Sequence, residues 1–356
     1  MSDVAAAAPP VARTYGFAFR GTGGEYFGIW IVNLALTVLT LGIYGAWATV
    51  RTRRYFRGNT FLADHSFEYH ASPLRILIGR LIAVALLLGY NISVAFDLRA
   101  LIVWVPLFFF AVPWLIVSSL RFNARNTSYR NVRFNFVGTY GGAFKAYILW
   151  PIAGVLTFGV LMPLARKKRD YFFVNNHTFG GKHFETEFSA WRIFLIYLIA
   201  FGVFMLVFVA IGAAMGGFFA VIHPPAKGAE PPPAFIAMFF LLAVVAEIGV
   251  IGLGIAVTTA VFNMVINRTA IDGRHKLKSR ISPMGMAWIV LTNVLLTMLS
   301  MGIYYPWAQI RQERYRVNRL ALEATTDLDE FTSEAFGTQS AVGEEIAGFF
   351  DLGIGL

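Results

Sequence analysis

Cysteine is absent from this chain, and its absence excludes disulfide bonds, thiolate metal sites and cysteine nucleophiles. Six histidines are present, but they form no HExxH motif or other closely spaced ligand set, and we interpret them as turn or surface residues. No serine stands in a GxSxG setting and no paired acids recur. The sequence therefore predicts no catalytic residues, no metal and no cofactor, and we expect the protein not to be an enzyme.

Charged residues are scarce as well, at 14% of the chain against 57% apolar residues. Soluble proteins carry about 25% charged residues, so the composition predicts a membrane protein. Apolar runs long enough for the roughly 20 residues of a membrane span lie near 74–96, 100–120, 193–222 and 234–262. Further hydrophobic runs lie at 27–47, 143–165 and 286–306.

One stretch of sequence recurs along the chain. LTLGIYGAWATVRTRRY, from Leu39, returns as LSMGIYYPWAQIRQERY from Leu299, and a blurred copy starts at Leu156. We interpret this as a threefold internal repeat, with copies near 15–70, 132–189 and 270–320. A glycine interrupts the apolar run of each copy, and glycine readily adopts the positive φ of a tight turn. These candidate turn glycines are Gly42, Gly159 and Gly302.

The distribution of basic residues favours one membrane topology. Seven crossings would leave 14 Lys and Arg on one side and 16 on the other, whereas four crossings leave 28 on one side and two on the other. The positive-inside rule favours four spans, with both termini in the cytoplasm and the repeated segments as broken or re-entrant helices. Ordinary kinked spans, which would give seven crossings, are the alternative.

Short alternating segments with polar turns predict cytoplasmic β-hairpins. Thr178-Phe179 and Phe184-Glu185 flank the turn Gly180-Gly181-Lys182, and Thr269 and Leu277 flank the turn Asp272-Gly273-Arg274. Asp-Gly is a strong hairpin signal. A lone hairpin is marginal in water, so we expect these hairpins to pair into a sheet. The predicted fold is therefore a mainly α, polytopic membrane protein with a threefold repeat of broken or re-entrant helices and short cytoplasmic hairpins.

The two ends of the chain differ from the predicted membrane domain, 15–320. Residues 1–14 are predicted to be disordered. Residues 321–356 form a predicted acidic cytoplasmic tail, because eight of the 20 acids and no Lys or Arg follow Arg319. The rest of the chain is strongly basic, and in a membrane protein this predicts contact with anionic lipid rather than nucleic acid.

Arginines and aromatic residues alternate at helical spacing within two of the copies. Spacings of three and four place such residues on one helix face, where rings lie at the membrane interface and guanidinium groups bind phosphates. Simple anchoring is one interpretation, and a shared basic, aromatic-lined cavity is the other. The candidate residues are Trp47, Arg51, Arg54 and Tyr55 in the first copy and Trp307, Arg311, Arg314 and Tyr315 in the last.

Glu247 is the only ionisable residue between Ala234 and Arg268. A charge at membrane depth costs about 2.5 kcal/mol or more, and such groups usually face a bundle interior and often mark an ion or proton path. A glutamate that ties helices together by a hydrogen bond, for example to Asn91 or Asn263, is the alternative.

Several phrases carry a resemblance to a known family. Four segments, spread over about 15–320, resemble the YjgN-like family of bacterial inner-membrane proteins. They are FAFRGTGGEYFGIWIVN, LTLGIYGAWATVRTRRYFRGNT, FEYHASP and LSMGIYYPWAQIRQERY. The middle copy departs from the pattern, since Leu164 stands where the other copies have tryptophan. The resemblance implies an inner-membrane location and brings no substrate or catalytic residue.

Two functions remain open at this level. Internal repeats, broken helices and a membrane-buried acid are typical of a transporter or channel for an ion or small solute. The acidic tail instead favours a non-transporting scaffold or lipid-interacting protein that recruits a cytoplasmic partner. The transporter is slightly favoured. Membrane lipid is the expected partner in both cases.

Overall fold

The computed structural model describes residues 13–221 and 233–347; the predicted disordered segment, apart from Arg13 and Thr14, lies outside them. The strands are β1 Arg13–Phe19, β2 Thr60–Leu62, β3 His65–Tyr69, β4 Thr127–Tyr129, β5 Val132–Phe136, β6 His177–Phe179, β7 Lys182–Thr186, β8 Thr269–Ile271, β9 His275–Ser279 and β10 Leu320–Ala324. The helices are α1 Gly23–Leu39, α2 Gly45–Gly58, α3 Pro73–Phe96, α4 Leu101–Arg125, α5 Tyr140–Phe144, α6 Trp150–Leu156, α7 Met162–Asn175, α8 Ala190–Val221, α9 Pro233–Ile266, α10 Pro283–Leu299, α11 Tyr305–Val317 and α12 Leu328–Ala347. A π-helical turn, Lys145–Leu149, joins α5 to α6.

The ten strands form one closed antiparallel barrel, in which each strand pairs with its neighbours in sequence. The two ends of the described chain close it, because β1 pairs with β10 (Arg13 opposite Ala324) and with β2 (Phe19 opposite Thr60). Because the barrel is closed, every strand has a hydrogen-bonded neighbour on both sides. An open sheet of short hairpins would leave unpaired N–H and C=O groups along its two edge strands.

The predicted hairpins are present, and their turns explain them. Both central residues of each β-turn have positive φ, which defines the type I′ turn that matches strand twist. Asp272 and Gly273, for example, have φ of 55° and 65°. The other turns are Ala63-Asp64, Arg130-Asn131 and Gly180-Gly181. All four lie at one end of the barrel, here called the turn rim.

The interior of the barrel is filled by apolar side chains, and α12 covers the turn rim. Leu328, Phe331 and Ala335 of α12 are 3%, 3% and 0% exposed and pack on barrel residues such as Val132 and Phe179. Asp329 pairs with Arg130 at this rim. The barrel is therefore a packed core and not a pore.

The opposite end of the barrel, here called the helical rim, is where strands continue into helices. Among the described residues, four helices are long and apolar enough to cross a membrane: Pro73–Phe96, Leu98–Arg125, Ala190–Ala214 and Ile236–Ile266. They coincide with the four predicted spans. Their most apolar windows are 0 to 11% buried, so these helices present most of their surface outward. Helices α1 and α10 are apolar but shorter.

The predicted fold class is wrong. The sheet is a closed ten-stranded barrel rather than a set of short hairpins, and no threefold repeat is evident in the architecture. The barrel lacks threefold symmetry because each strand pairs with the next without interruption around the ring. What recurs is a helix–strand–strand–helix connection, and a ten-membered ring does not divide into three equal units.

The topology gives a first testable expectation. The chain has no cysteine, so single cysteines report cleanly. Asp64→Cys and Lys276→Cys, both on the barrel, should be shielded from an impermeant thiol reagent in intact cells, because basic loops stay in the cytoplasm. Arg99→Cys, in the turn Leu98–Ala100 between α3 and α4, should be labelled. Permeabilised cells, in which all three should react, are the control, and external labelling of position 64 would contradict the orientation.

Candidate functional site

A cavity of about 650 Å³ lies at the helical rim of the barrel. Its walls come from α2, α4, α7 and α11, and strand residues such as Phe67 and Phe134 form its base. Ligand sites in proteins commonly occupy about 300 to 1,000 Å³. This hollow is therefore large enough for a small molecule or a lipid headgroup.

Three arginines line this cavity: Arg53 and Arg57 from α2, and Arg316 from α11. Arg53 donates to the Tyr69 hydroxyl at 2.7 Å and to the Asn123 side chain. These contacts fix its direction while leaving other N–H groups available. Neutral hydrogen-bonding partners do not cancel its charge.

Arg316 has an anionic partner within the cavity. One of its terminal nitrogens donates to both carboxylate oxygens of Glu313, at 2.7 and 2.8 Å. Three arginines and one glutamate give the cavity a net charge of two positive units. His177 also lines the cavity and is counted as neutral, because burial lowers its pKa. Its hydrogen bond to the Phe173 carbonyl acts in the opposite direction but has the smaller effect.

Arg57 differs from the other two arginines. Its guanidinium forms no hydrogen bond or ion pair within the described part of the chain. It is accessible to water, yet enough protein surrounds it that desolvation lowers its pKa; Glu313 opposes the shift, and Arg316 and Arg53 add to it. An accessible but unpaired cation in an enclosed space is arranged to receive an anion.

Sequence reasoning missed these arginines because it selected a different face of each helix. Arg53 and Arg57 are four residues apart and share a face of α2, whereas Arg51 and Arg54 do not line the cavity. On α11 the cavity face carries Tyr305, Gln309, Glu313 and Arg316. Both stripes have helical spacing and could have been found, but only the position of the barrel shows which stripe faces inward.

The candidate residues of the first copy form mostly structural contacts. The Tyr55 hydroxyl donates to the Thr22 carbonyl at 3.0 Å and accepts from the Thr22 N–H at 2.9 Å. Arg54 donates to the Tyr69 carbonyl at 3.2 Å. The Trp47 ring stacks on Tyr44 with 6.2 Å between centroids. Arg51 is exposed.

The four candidate residues of the last copy share one surface groove of about 520 Å³, beside Gly23. Arg311 donates to Thr292 and Asn293 at 2.9 and 3.1 Å. Arg314 donates to the Gly21 carbonyl at 2.7 Å.

The two aromatic residues of this copy pack on glycines. Trp307 packs where a Cβ at Gly23 would stand, and Tyr315 packs against Gly285. Gly21 and Thr22 adjoin, so Arg314 and Tyr55 hold one loop together. The two candidate sets thus meet at this loop but do not converge on one cavity.

The three candidate turn glycines all adopt a conformation that other residues avoid. Gly42, Gly159 and Gly302 have φ of +93°, +91° and +93° and lie between consecutive helices. An L-residue in such a conformation crowds its Cβ against the backbone.

Gly302→Ala is therefore expected to lower the free energy of unfolding by about 1 kcal/mol. Gly28→Ala is the matched control: it lies inside α1, a Cβ there meets nothing within 4 Å, and alanine favours a helix. Thermal unfolding in detergent should show a lower midpoint for the first variant only. An unchanged midpoint for Gly302→Ala would show that the turn tolerates a side chain.

Glu247 does not face a bundle interior. It lies within the apolar segment Ile236–Ile266 of α9, and its side chain is exposed. Neither Asn91 nor Asn263, the helix-tying partners considered from the sequence, bonds to it; they donate to the Leu87 and Ile281 carbonyls. The structure thus separates Glu247 from the cavity at the barrel. Within the described residues there is also no cluster of three metal-ligating side chains.

Comparison with known proteins supports a family relationship over nearly the whole chain. The family described as bacterial protein of unknown function (DUF898) matches residues 14–349. Inner membrane protein YjgN of Salmonella typhimurium is 23% identical over 89% of this chain and 90% of its own length. Inner membrane protein YjgN of Escherichia coli O157:H7 is 28% identical over 43% of this chain and 39% of its own length. No solved structure matches.

Proposed function

The chain belongs to the DUF898 family of bacterial proteins of unknown function, and we propose that it is a membrane protein that binds a phosphate-bearing anion in the cavity at the helical rim. The observation that carries the proposal is Arg57, a guanidinium without an ionic partner among the described residues. It lies in one cavity with Arg53 and Arg316. The relatives named as inner membrane proteins and the four apolar helices support the membrane location.

The chemistry of the cavity suits phosphate. Guanidinium groups present paired N–H donors that match phosphate oxygens, and such charge-assisted bonds are stronger than neutral ones. The tyrosine, amide and imidazole groups of Tyr305, Gln309 and His177 add neutral hydrogen-bonding groups around the arginines. The excess of positive charge favours an anionic ligand over a neutral one.

The exposed surfaces of the spans support binding over transport. A transporter places its substrate site between discontinuous helices near the middle of the membrane. Here the cavity adjoins the barrel, the barrel interior is packed, and the described spans are largely exposed along their sides. Glu247 also lies outside the cavity. These features favour the non-transporting, lipid-interacting alternative.

The acidic tail supports a partner-binding role less than the sequence suggested. Four of its acids pair with basic residues of the barrel in the same chain: Glu323 with Lys278 at 3.3 Å, Asp327 with Arg13 at 3.4 Å, Asp329 with Arg130, and Glu334 with Arg274 at 3.4 Å. Recruitment of a cytoplasmic protein through this segment stays a prediction.

Arg57→Met tests the proposed site. Methionine keeps much of the apolar stem while removing the charge. Because a hydrogen bond to a charged group contributes about 1.5 to 3 kcal/mol, affinity for inorganic pyrophosphate should fall roughly 10- to 100-fold in calorimetric titrations of the detergent-purified protein.

Arg51→Met is the matched control, since Arg51 lies on the same helix, is exposed, and does not line the cavity. It should bind pyrophosphate like the wild type. Equal losses of pyrophosphate affinity in the two variants would mean that the overall positive charge, and not a contact with Arg57, accounts for binding. A wild-type protein that does not bind pyrophosphate would refute the site.

A further inference from the structure

Arg316 lines a second hollow in addition to the cavity. A groove of about 480 Å³ lies between α9 and α10, and Arg316 and Gln312 stand at its border. The rest of its lining comes mainly from apolar residues of the two helices, among them Ile255, Phe262 and Val290. The basic cavity and the apolar groove therefore adjoin at one residue, Arg316.

The two threonine hydroxyls of this groove already donate within their own helix. The hydroxyls of Thr258 and Thr259 each donate to a carbonyl of their own helix, at 2.8 Å, to Gly254 and Ile255 respectively. They therefore offer little hydrogen bonding to an occupant. At Gly254 a Cβ would meet nothing within 4 Å, so the groove is open at that position.

The groove follows a helix that is apolar enough to cross the membrane. Gly254 and Thr258 belong to the candidate span Ile236–Ile266. An apolar groove on such a helix adjoins acyl chains, whereas the three arginines adjoin the aqueous barrel domain. This order, apolar groove and then basic cavity, matches the order of acyl chain and phosphate in a phospholipid.

We propose that the ligand of the cavity is an anionic phospholipid, with its phosphate on Arg316 and Arg57 and one acyl chain in the groove between α9 and α10. The proposal rests on the proposed function and names its ligand class. Arg316 can serve both Glu313 and a phosphate, because only one of its terminal nitrogens is engaged by the carboxylate and a guanidinium has five N–H donors. A soluble phosphate would satisfy the arginines and leave the groove unfilled.

Three probes separate the lipid from a free phosphate. The detergent-purified full chain is titrated with a short-chain phosphatidylglycerol, with phosphatidylcholine of the same chain length, and with glycerol 3-phosphate. We expect phosphatidylglycerol to bind at least tenfold more tightly than either of the others. The comparison with phosphatidylcholine tests the charge, and the comparison with glycerol 3-phosphate tests the acyl chain.

Two variants test which part of the site binds the acyl chain and which part binds the phosphate. Gly254→Leu fills the groove and should weaken phosphatidylglycerol binding at least tenfold while leaving glycerol 3-phosphate binding unchanged. Arg57→Met should weaken both. Gly202→Leu is the matched control, because Gly202 lies in the apolar helix α8, its Cβ would also meet nothing within 4 Å, and it does not line the groove.

The outcomes distinguish this proposal from the more general one. Equal affinity for glycerol 3-phosphate and phosphatidylglycerol, or unchanged lipid binding in Gly254→Leu, overturns the lipid assignment and leaves the anion site standing. If the Arg57→Met variant binds every probe as tightly as the wild type does, both the lipid assignment and the anion site are overturned. If Gly254→Leu does not fold, Val290→Phe narrows the same groove from α10, and the same loss of lipid binding is expected.

Discussion

Replacement of Phe331 by alanine is expected to lower the free energy of unfolding by about 3 to 5 kcal/mol, the usual cost of deleting a buried phenyl ring. Phe331 is 3% exposed at the turn rim, where α12 covers the barrel. Its ring centroid lies 5.9 Å from that of Phe179 and 4.2 Å from that of His275. The truncation would leave a hollow between the barrel and the helix.

Phe336→Ala is the control for this prediction. Phe336 lies in the same helix but is 53% exposed, so its truncation should change stability by less than about 0.5 kcal/mol. Urea unfolding in detergent, followed by near-ultraviolet circular dichroism, measures both. Similar small effects in the two variants would mean that α12 does not pack on the barrel.

The hairpins could be predicted from sequence because their signals are local. Asp272-Gly273 and Gly180-Gly181 favour positive φ within two residues, and the structure places both residues of each turn there. Barrel closure could not be predicted in this way. It depends on β1 meeting β10, with Arg13 opposite Ala324 across almost the entire chain. Strand β10 has no hairpin turn beside it, and most of its residues fall within the predicted acidic tail, 321–356.

Similarity between segments was informative about turns and misleading about architecture. Gly42, Gly159 and Gly302 share a positive φ near 90°, as a common local sequence would suggest. The segments between them determine how the strands pair, and those segments are not equivalent. A local likeness therefore cannot establish a symmetric fold.

The candidate site shows a similar limit. Arginine and aromatic spacing correctly indicates helices with basic faces, but α2 carries two basic stripes. Tyr55 and Arg54 use one stripe to hold neighbouring backbone, while Arg53 and Arg57 line the cavity. The choice between stripes depends on tertiary packing, which helical periodicity does not contain.

Histidine is the other residue type whose position was misjudged. All six histidines were interpreted as turn or surface residues, and for His275 this is wrong, because its side chain is 0% exposed at the start of β9. Neither ring nitrogen has a hydrogen-bond partner among the described residues. Burying such groups without partners costs about 1 to 3 kcal/mol.

His275 also makes stability depend on pH. Burial lowers its pKa from the ordinary 6.5; Arg274 and Lys182 act in the same direction, and Asp272 and Glu334 oppose them. Below pH 6.5 the unfolded chain therefore binds a proton that the folded barrel excludes, so stability falls as the pH drops from 6.5 towards the lower folded-state pKa. Above pH 6.5 the contribution of His275 is constant.

His275→Leu should therefore have two effects. Leucine fills the site without unmet polar groups, so the free energy of unfolding at pH 7.5 should rise by about 1 to 3 kcal/mol. The loss of stability between pH 7.5 and 5.5 should also become smaller. It should not vanish, because burial lowers the pKa of His177 as well; His177→Gln measures that share. Urea unfolding at the two pH values tests both effects, and a His275→Leu variant that is less stable at pH 7.5 and equally sensitive to acid would show that the imidazole nitrogens have partners in solution.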